Sequence, residues 1–243
     1  MRWYSSDLLA IPHAMLCGCG GVSINSFASL NLSFGVGDNS ENVEVNRQRL
    51  KQCQGIHYLV SAVQVHGDQV VIAENIKQDT EFEKADSLIT SEPGNGLLIQ
   101  QADCQAILLH DPVQGVIGAV HNGWRGSTLN IIAKTVAAMH DYYGVNPDTL
   151  KAVISPSLGP CCAEFINFQQ ELPKSFHTRQ ITPFHFDFWA ISRDQLTKAG
   201  LKDTNIETAG ICTVCNKDFF SYRREVRQGS GVTGRNGSVI ALS

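Results

Sequence analysis

Three apolar, strand-like segments constrain the fold of this chain, because each is followed by a residue that can bind a metal ion or attack a substrate. The segments end in QVHG (64–67), ADC (102–104) and HNGWRG (121–126). His66, Cys104 and His121 are distant in sequence, so a shared site requires a fold in which separate strand ends meet. One thiolate and two imidazoles form a common ligand set for a zinc ion with an open fourth position. Copper also accepts these ligands.

The same residues permit two interpretations without a metal. Cys104 would act as a nucleophile in a thiol hydrolase if His121 or His66 took its proton. Alternatively, each histidine could be a structural residue that forms hydrogen bonds within the core. A non-enzymatic binding module fits less well, since it would not need three convergent ligand types.

Apolar periodicity predicts more strands than helices, in an order that does not alternate regularly. A 3.6-residue stripe predicts a helix over 128–142, and a second helix is expected over 187–198. Another helix is expected to begin at an N-cap formed by Asp38 or Ser40. The predicted strands are 30–34, 59–66, 69–73, 96–104, 105–110, 115–121, 150–154, 206–211, 219–224 and 238–242. This pattern favours an α+β fold with mixed sheets, and the length favours a single domain over residues 1–243.

The charge balance argues against a nucleic-acid partner. The net charge is −4, and no long basic run occurs. No apolar run is long enough to span a membrane, and the N-terminal residues do not resemble a signal peptide. We therefore expect a cytoplasmic protein that acts on small molecules, and the oligomeric state is not predictable.

The remaining cysteines are expected to be ordinary thiols. The chain has eight cysteines without an export signal, which is typical of a reducing compartment. Cys212 and Cys215 form a CxxC pair, but the adjacent Cys161 and Cys162 do not have the spacing of a second zinc-binding pair. We therefore predict buried or loop thiols at these positions.

Ten segments, read together, resemble one protein family. They are GGVS (20–23), SLNL (29–32), GDN (37–39), NR (46–47), QVHG (64–67), ADC (102–104), HNGWRG (121–126), LGPCC (158–162), CTVC (212–215) and FFSYRR (219–224). They follow the family order and span nearly the whole chain. The sequence is identified on this basis as similar to the YfiH-like family, also called the laccase-domain or multicopper polyphenol oxidase family, with a mammalian relative, FAMIN.

The resemblance implies a layered α/β/β/α fold and a zinc ion on His66, Cys104 and His121. It further implies purine nucleoside chemistry, namely phosphorolysis of adenosine, inosine and methylthioadenosine, and deamination of adenosine. Two alternatives accompany the family, a copper-dependent polyphenol oxidase and an editing enzyme acting on peptidoglycan precursors. The eight histidines include no His-x-His pair, which argues against a multicopper centre.

The expected partners are therefore a purine nucleoside and phosphate, and the resemblance suggests roles for four further residues. Guanidinium groups bind phosphate through paired hydrogen bonds, so Arg47 and Arg125 are the expected phosphate ligands, with Arg47 also catalytic. The alternative is that both form surface or structural salt bridges. Asp103 is expected to be a catalytic acid or base beside the catalytic Cys104, a partner of a ligating histidine, or a turn cap. Trp124 is expected either to stack on a purine or to pack against its own turn. Arg223 and Arg224 are expected to be structural.

The chain departs from the family pattern at two positions. Gly35 stands where the family often has histidine, and Asn122 stands where it often has alanine. The loss of a histidine would remove a polar contact near the substrate, so a change in substrate preference is expected.

Overall fold

The strands form two six-stranded mixed sheets in a computed structural model that describes residues 1–242. Numbered along the chain, the first sheet contains, in spatial order, β1 (Trp3–Tyr4), β2 (His13–Leu16), β14 (Asn236–Ala241), β7 (Asn95–Gln101), β3 (Tyr58–Ala62) and β5 (Thr80–Phe82). The second contains β13 (Ile206–Thr208), β10 (Lys151–Ile154), β8 (Gln105–Asp111), β9 (Val116–Asn122), β6 (Ser87–Thr90) and β4 (Val70–Ile72). A separate hairpin pairs β11 (Gln180–Thr182) with β12 (His185–Phe186).

The described residues also form six helices, of which the three longest cover the outer faces of the sheets. They are α1 (Ser40–Gln54), α2 (Trp124–Thr128), α3 (Ile131–Tyr143), α4 (Phe168–Glu171), α5 (Phe188–Lys198) and α6 (Tyr222–Arg227), with short 3₁₀ turns at Asn25–Phe27, Phe34–Val36, Lys174–Arg179 and Asp203–Asn205. None of the helices described for residues 1–242 combines the length and the hydropathy needed to cross a bilayer.

Central strands are buried on both faces, which explains their continuous apolar sequences. In β7, Leu97 and Ile99 point into the core between the two sheets, whereas Leu98 points toward α1. In β8, Leu108 joins the same central core, and Ile107 packs on the opposite face with residues of α3 and α5. The layers therefore follow the order α/β/β/α, and the predicted fold class is confirmed.

The helix predictions are correct in position and shifted at their ends. Helix α5 follows Asp187, whose carboxylate accepts a hydrogen bond from the Ala190 amide at 2.9 Å. Helix α1 follows Asn39, which caps it in place of the predicted Asp38 or Ser40. The predicted helix over 128–142 begins only at Ile131, because Asn130 has φ 56° and separates it from α2.

Two predicted strands are wrong. Over 219–224 the chain instead begins α6, because Ser221 Oγ accepts a hydrogen bond from the Arg224 amide at 3.2 Å and caps a helix. Over 30–34 the side chain of Asn31 bonds locally to Ser33, through Ser33 N and Ser33 O. Such side-chain bonds compete with a strand ladder.

Candidate metal centre

His66, Cys104 and His121 meet at one end of the two sheets. His121 lies near the end of β9, Cys104 in the short connection between β7 and β8, and His66 in the loop after β3. The potential ligand atoms of the three side chains all lie within 4.8 Å of one another. Cys104 Sγ is 3.9 Å from His66 Nε2, and the two imidazole rings meet edge to face with centroids 4.8 Å apart.

This arrangement fits a single metal ion. A tetrahedral zinc with ordinary Zn–S and Zn–N bond lengths separates sulfur from nitrogen by about 3.6 Å, close to the distance between Cys104 and His66. Gly123 borders the same space, where a Cβ would lie 3.0 Å from Cys104 Sγ and 3.1 Å from His66 Cδ2. Glycine therefore keeps the centre open beside its ligands.

Asp86 organises the centre, and sequence reasoning missed it. Its buried carboxylate accepts a hydrogen bond from His121 Nδ1 at 2.8 Å, which leaves Nε2 facing the other two ligands. It also accepts hydrogen bonds from the amides of Val65, His66 and Gly67, at 3.2, 2.9 and 2.8 Å. These amides belong to the loop that carries His66, whose φ is 58°. One carboxylate thus fixes two of the three candidate ligands.

The charges of the centre favour a thiolate. Burial alone raises the pKa of the Cys104 thiol, but the imidazoles of His121 and His66 outweigh burial and lower this pKa to about 6. Burial lowers the pKa of His121, yet Cys104 and Asp86 together raise it to about 9. The metal-free protein therefore holds a thiolate beside a protonated imidazole at neutral pH. Metal binding would release the imidazole proton.

The centre opens into a cavity of about 850 Å³. Aromatic side chains form much of its wall, including Phe34, Trp124 and Phe165. Two arginines, Arg223 and Arg235, also line it. Polar and aromatic groups around one open pocket are typical of a small-molecule site.

Arg47 does not lie among the residues that line this cavity. Its buried guanidinium donates to Leu32 O at 2.9 Å and to Ser61 Oγ at 3.3 Å, and it pairs with Glu81 at 3.4 Å. Its Cζ lies 4.3 Å from the ring centroid of Phe34, which does line the cavity. These contacts support the cavity wall at Phe34 from its outer side and fit a structural ion pair, so the role of Arg47 as a direct phosphate ligand stays a prediction.

Arg125 also lies outside the cavity lining. Its side chain is exposed, and Cζ lies 5.1 Å from the ring centroid of Trp124. Trp124 itself lines the cavity and meets Phe165 edge to face, with centroids 6.2 Å apart. Both roles predicted for Trp124 are thus geometrically compatible, whereas Arg125 contacts only the outer part of this arrangement.

Asp103 lines the cavity, but its carboxylate forms its hydrogen bonds with residues outside the candidate metal centre. One oxygen accepts from Thr213 Oγ1 at 2.7 Å and the other from the Arg223 amide at 2.6 Å. Its φ of 86° places it in a turn after β7. Among its predicted roles, the geometry fits a turn and helix-cap acceptor, because Asp86 occupies the position beside the ligating histidine.

Arg223 and Arg235 were not predicted as site residues. Arg223 is the second residue of α6, and its side chain donates a hydrogen bond to Glu164 O at 3.0 Å. Arg235 lies just before β14, where burial lowers its pKa while the nearby Cys104 and Asp103 oppose that shift. No local sequence signal distinguishes them, since both reach the cavity only through the tertiary fold.

The fold and the site define a class of protein, a layered α/β/β/α protein with a candidate His₂Cys metal centre at the floor of a cavity. The chain belongs to the family described as multi-copper polyphenol oxidoreductase laccase, whose sequence model matches residues 12–243. The family resemblance drawn from the ten segments is confirmed.

Known relatives extend over nearly the whole chain. A protein of Deinococcus radiodurans named purine nucleoside phosphorylase is 35% identical over 244 residues, covering 96% of this chain and 90% of the relative. The Escherichia coli purine nucleoside phosphorylase YfiH is 30% identical over 230 residues, covering 92% and 90%. The crystal structure of Bacillus licheniformis YfiH matches with a TM-score of 0.86 at 29% identity, covering 95% of this chain and 92% of that one.

Proposed function

We propose that this chain is a zinc-dependent purine nucleoside phosphorylase that acts on adenosine, inosine or methylthioadenosine. The observation that carries the proposal is the convergence of one thiolate and two imidazoles at the floor of a cavity of about 850 Å³. Ligand cavities commonly measure roughly 300–1,000 Å³, so a nucleoside and a phosphate can be held together. Relatives that cover most of the chain are named purine nucleoside phosphorylase, which supports purine nucleosides as the substrate class.

The proposed reaction forms a bond between a phosphate oxygen and C1′ of the ribose while the bond from C1′ to the purine nitrogen breaks. The purine leaves with the electron pair of that bond and takes up a proton from water, and the other product is ribose 1-phosphate. Arg223 and Arg235 are the proposed phosphate ligands, in place of Arg47 and Arg125, because they line the cavity. Their guanidinium groups would also offset the negative charge of the phosphate as it approaches C1′. Trp124 offers a face for the purine.

His66, Cys104 and His121 are the proposed metal ligands, which gives Cys104 its role in catalysis. A bound zinc with an open position supplies Lewis acidity toward a substrate oxygen. Asp103 is proposed as a positioning residue instead of the general acid, because both of its oxygens already accept hydrogen bonds.

Deamination of adenosine is proposed as a second activity of the same centre. In deamination, water attacks C6 of the purine and ammonia leaves. In phosphorolysis, phosphate attacks C1′ of the ribose and the purine leaves. The two reactions therefore use different poses of the substrate within one cavity.

Copper-dependent oxidation of polyphenols is the alternative that the family description suggests. Multicopper oxidation requires several copper ions with many histidine ligands. Across residues 1–242, the other cluster of metal-binding side chains contains four cysteines and no histidine. We therefore propose zinc in preference to copper.

A metal-free thiol hydrolase, such as an editing enzyme for peptidoglycan precursors, is the second candidate. It is favoured by one observation, the pKa of about 6 that the neighbouring imidazoles give Cys104. Such an enzyme would keep full activity after removal of metal, so chelation separates it from the zinc enzyme.

The decisive experiment mixes the protein with inosine, with and without phosphate, and measures hypoxanthine. Release that requires phosphate and zinc supports phosphorolysis, whereas oxygen uptake with a polyphenol and copper supports the oxidase. Cys104→Ala should lose turnover and the zinc of this centre, and Cys53→Ser, at an exposed cysteine, serves as the matched control. Retention of turnover by metal-free protein would contradict the proposal.

The phosphate ligands can be tested separately. Arg235→Gln should raise KM for phosphate more than tenfold, because a charge-assisted hydrogen bond contributes about 1.5–3 kcal/mol. Arg125→Gln, at an exposed arginine outside the cavity lining, is the control and should leave this KM within about twofold. Equal effects of the two substitutions would contradict the assignment.

Gly35 is the proposed determinant of substrate preference. It lines the cavity, and a Cβ at this position would meet only Ser33 Oγ, at 3.9 Å. Gly35→His should therefore fit without displacing the backbone and should change the ratio of kcat/KM between adenosine and inosine. An unchanged ratio would contradict a role for this position.

We also propose a cytoplasmic location. All eight cysteines are free thiols, and a reducing compartment preserves both thiols and thiolate ligands. Fractionation of cells that produce the protein at its native level tests this, and recovery outside the cytoplasm would contradict it.

A further inference from the structure

Four cysteines outside the candidate active site form a second cluster. Cys161 and Cys162 lie in the loop after β10, and Cys212 and Cys215 lie in the loop after β13. Their sulfur atoms all lie within 4.8 Å of one another. Sequence spacing did not indicate this proximity, because the fold supplies it. The prediction of buried or loop thiols agrees with four free cysteines in loops but did not anticipate a cluster.

The distances between the sulfurs match those of a tetrathiolate metal centre. Zn–S bonds of about 2.3 Å in a tetrahedron place the sulfurs about 3.8 Å apart. Cys215 Sγ lies 3.7 Å from Cys161 Sγ and 3.6 Å from Cys162 Sγ. All four residues are free cysteines, so each can lose a proton and become a ligand.

Backbone hydrogen bonds hold the two loops against each other. Ser157 and Cys212 form an isolated parallel bridge, with Thr213 N donating to Ser157 O at 3.0 Å and Ser157 N donating to Ile211 O at 3.1 Å. The cysteine loops are therefore joined by main-chain contacts that do not depend on any ion. A preformed ligand set of this kind binds a metal without first ordering the chain.

Gly159 completes the arrangement around one of the sulfurs. Its amide donates to Cys212 Sγ at 3.4 Å, a contact that stabilises negative charge on sulfur. A Cβ at Gly159 would lie 2.8 Å from Cys212 Cβ, so only glycine permits this approach. Glycine at this position thus allows a backbone amide to reach the sulfur of a candidate ligand.

A half-buried cation supports the second loop. Arg224 donates to Thr213 O at 2.7 Å and to Phe219 O at 2.6 Å, which fixes the course of the chain around Cys215. Four thiolates around a divalent ion carry a net charge of about −2, and a nearby guanidinium offsets part of it.

We propose that Cys161, Cys162, Cys212 and Cys215 form a second metal site, which binds zinc through four thiolates. Four Zn–S bonds form as the thiols release their protons to solvent, and no electron transfer is required. Four protein ligands leave no open coordination position, so this site is structural. It is separate from the centre at Cys104 and does not depend on the proposed function.

The proposed site stabilises one wall of the cavity. Thr213, which lies between Cys212 and Cys215, donates to Asp103, the residue before Cys104. The chain then continues to Tyr222 and Arg223, which line the cavity. A metal ion in the cysteine cluster would thus hold this wall in place without touching the substrate.

Metal analysis of the full-length protein, purified under reducing conditions with zinc, tests the proposal. We expect about two zinc ions per wild-type chain, about one in Cys215→Ser and about one in Cys104→Ala. Cys53→Ser should keep about two, as an exposed cysteine outside both clusters. Equal zinc contents in the wild type and Cys215→Ser would overturn the proposal.

Cobalt substitution in the wild type supplies a readout that does not depend on a variant folding. Cobalt bound by four thiolates gives strong sulfur-to-metal charge-transfer absorption, whereas a His₂Cys centre contributes one thiolate. We expect absorption that exceeds the spectrum of the Cys104 centre and persists in Cys104→Ala. Absorption of one thiolate only, or a mass that shows disulfides between these cysteines in freshly isolated protein, would overturn the proposal.

Discussion

Asp86→Asn is the substitution that most directly tests how the metal centre is organised. Asp86 Oδ1 accepts from His66 N and His121 Nδ1, and Oδ2 accepts from Val65 N and Gly67 N. Asparagine has one side-chain oxygen, and its NH₂ group cannot accept a hydrogen bond. Whichever way the amide lies, two of these four donors therefore lose their acceptor.

The expected cost follows from those two donors. Each buried donor without a partner costs about 1–3 kcal/mol. Val65 and Gly67 are not fully buried, so water compensates in part when the amide oxygen stays on the side of His121. We therefore expect a loss of about 2 kcal/mol in the unfolding free energy of the metal-free protein. Zinc affinity should fall about 10- to 100-fold, because the partner of a ligating histidine becomes neutral.

Urea unfolding of chelated protein and competition with a chromophoric zinc chelator measure the two effects. Asp68→Asn is the matched control, since Asp68 lies in the same loop and only pairs with Lys134 on the surface. Exposed pairs of this kind contribute about 0–1 kcal/mol. If Asp86→Asn and Asp68→Asn change zinc affinity and stability equally, Asp86 does not organise the centre.

Three further predictions concern single residues. Gly123→Ala should reduce the zinc content measured by mass spectrometry, because the added Cβ crowds the Cys104 sulfur. The unfolding free energy should change by less than about 1 kcal/mol, because φ is −70° and the Cβ does not meet backbone atoms. Full zinc content would contradict this prediction. In chelated protein, the rate of Cys104 alkylation should rise with pH around a midpoint of about 6, because the lowered pKa keeps the thiol ionised down to that pH. A midpoint at the ordinary thiol pKa would refute the proposed influence of the two imidazoles. In urea unfolding, the unfolding free energy of Asn130→Ala should be about 1–2 kcal/mol lower than that of Asn130→Gly, because φ is 56° at this position and only glycine adopts it without strain. Equal unfolding free energies would contradict this.

The central strands and the three residues of the candidate metal centre were predictable because their signals are local. Strands such as β7, β8 and β9 are continuous apolar runs, which double-sided burial requires. Ligand chemistry identified His66, Cys104 and His121 from residue type and position at segment ends. The family segments added the layer order, which periodicity alone does not provide.

The supporting residues were not predictable in the same way. Asp86 precedes β6 as a single acid before an apolar run, and nothing local distinguishes it from a surface carboxylate. Arg47 was expected in the cavity, but its burial behind Phe34 depends on how α1 packs on the first sheet. The aromatic residues before α6 suggested a strand until the cap at Ser221 overrode that preference. The contacts of Asp86 and Arg47 join segments distant in sequence, whereas the cap at Ser221 is a local contact that the aromatic pattern concealed.

The hydrogen bond between Thr213 and Asp103 connects the two candidate centres. Asp103 precedes Cys104, and Thr213 follows Cys212, so a distance of 2.7 Å joins the chain beside one ligand to the chain beside another. Asp103 also accepts from the Arg223 amide, which ties the start of α6 to the same point. Asp103 therefore has a structural role. Its carboxylate joins the loop of the cysteine cluster and the backbone of Arg223 to the residue beside Cys104. Disturbance of the cysteine cluster should therefore reach the first centre through the position of Asp103.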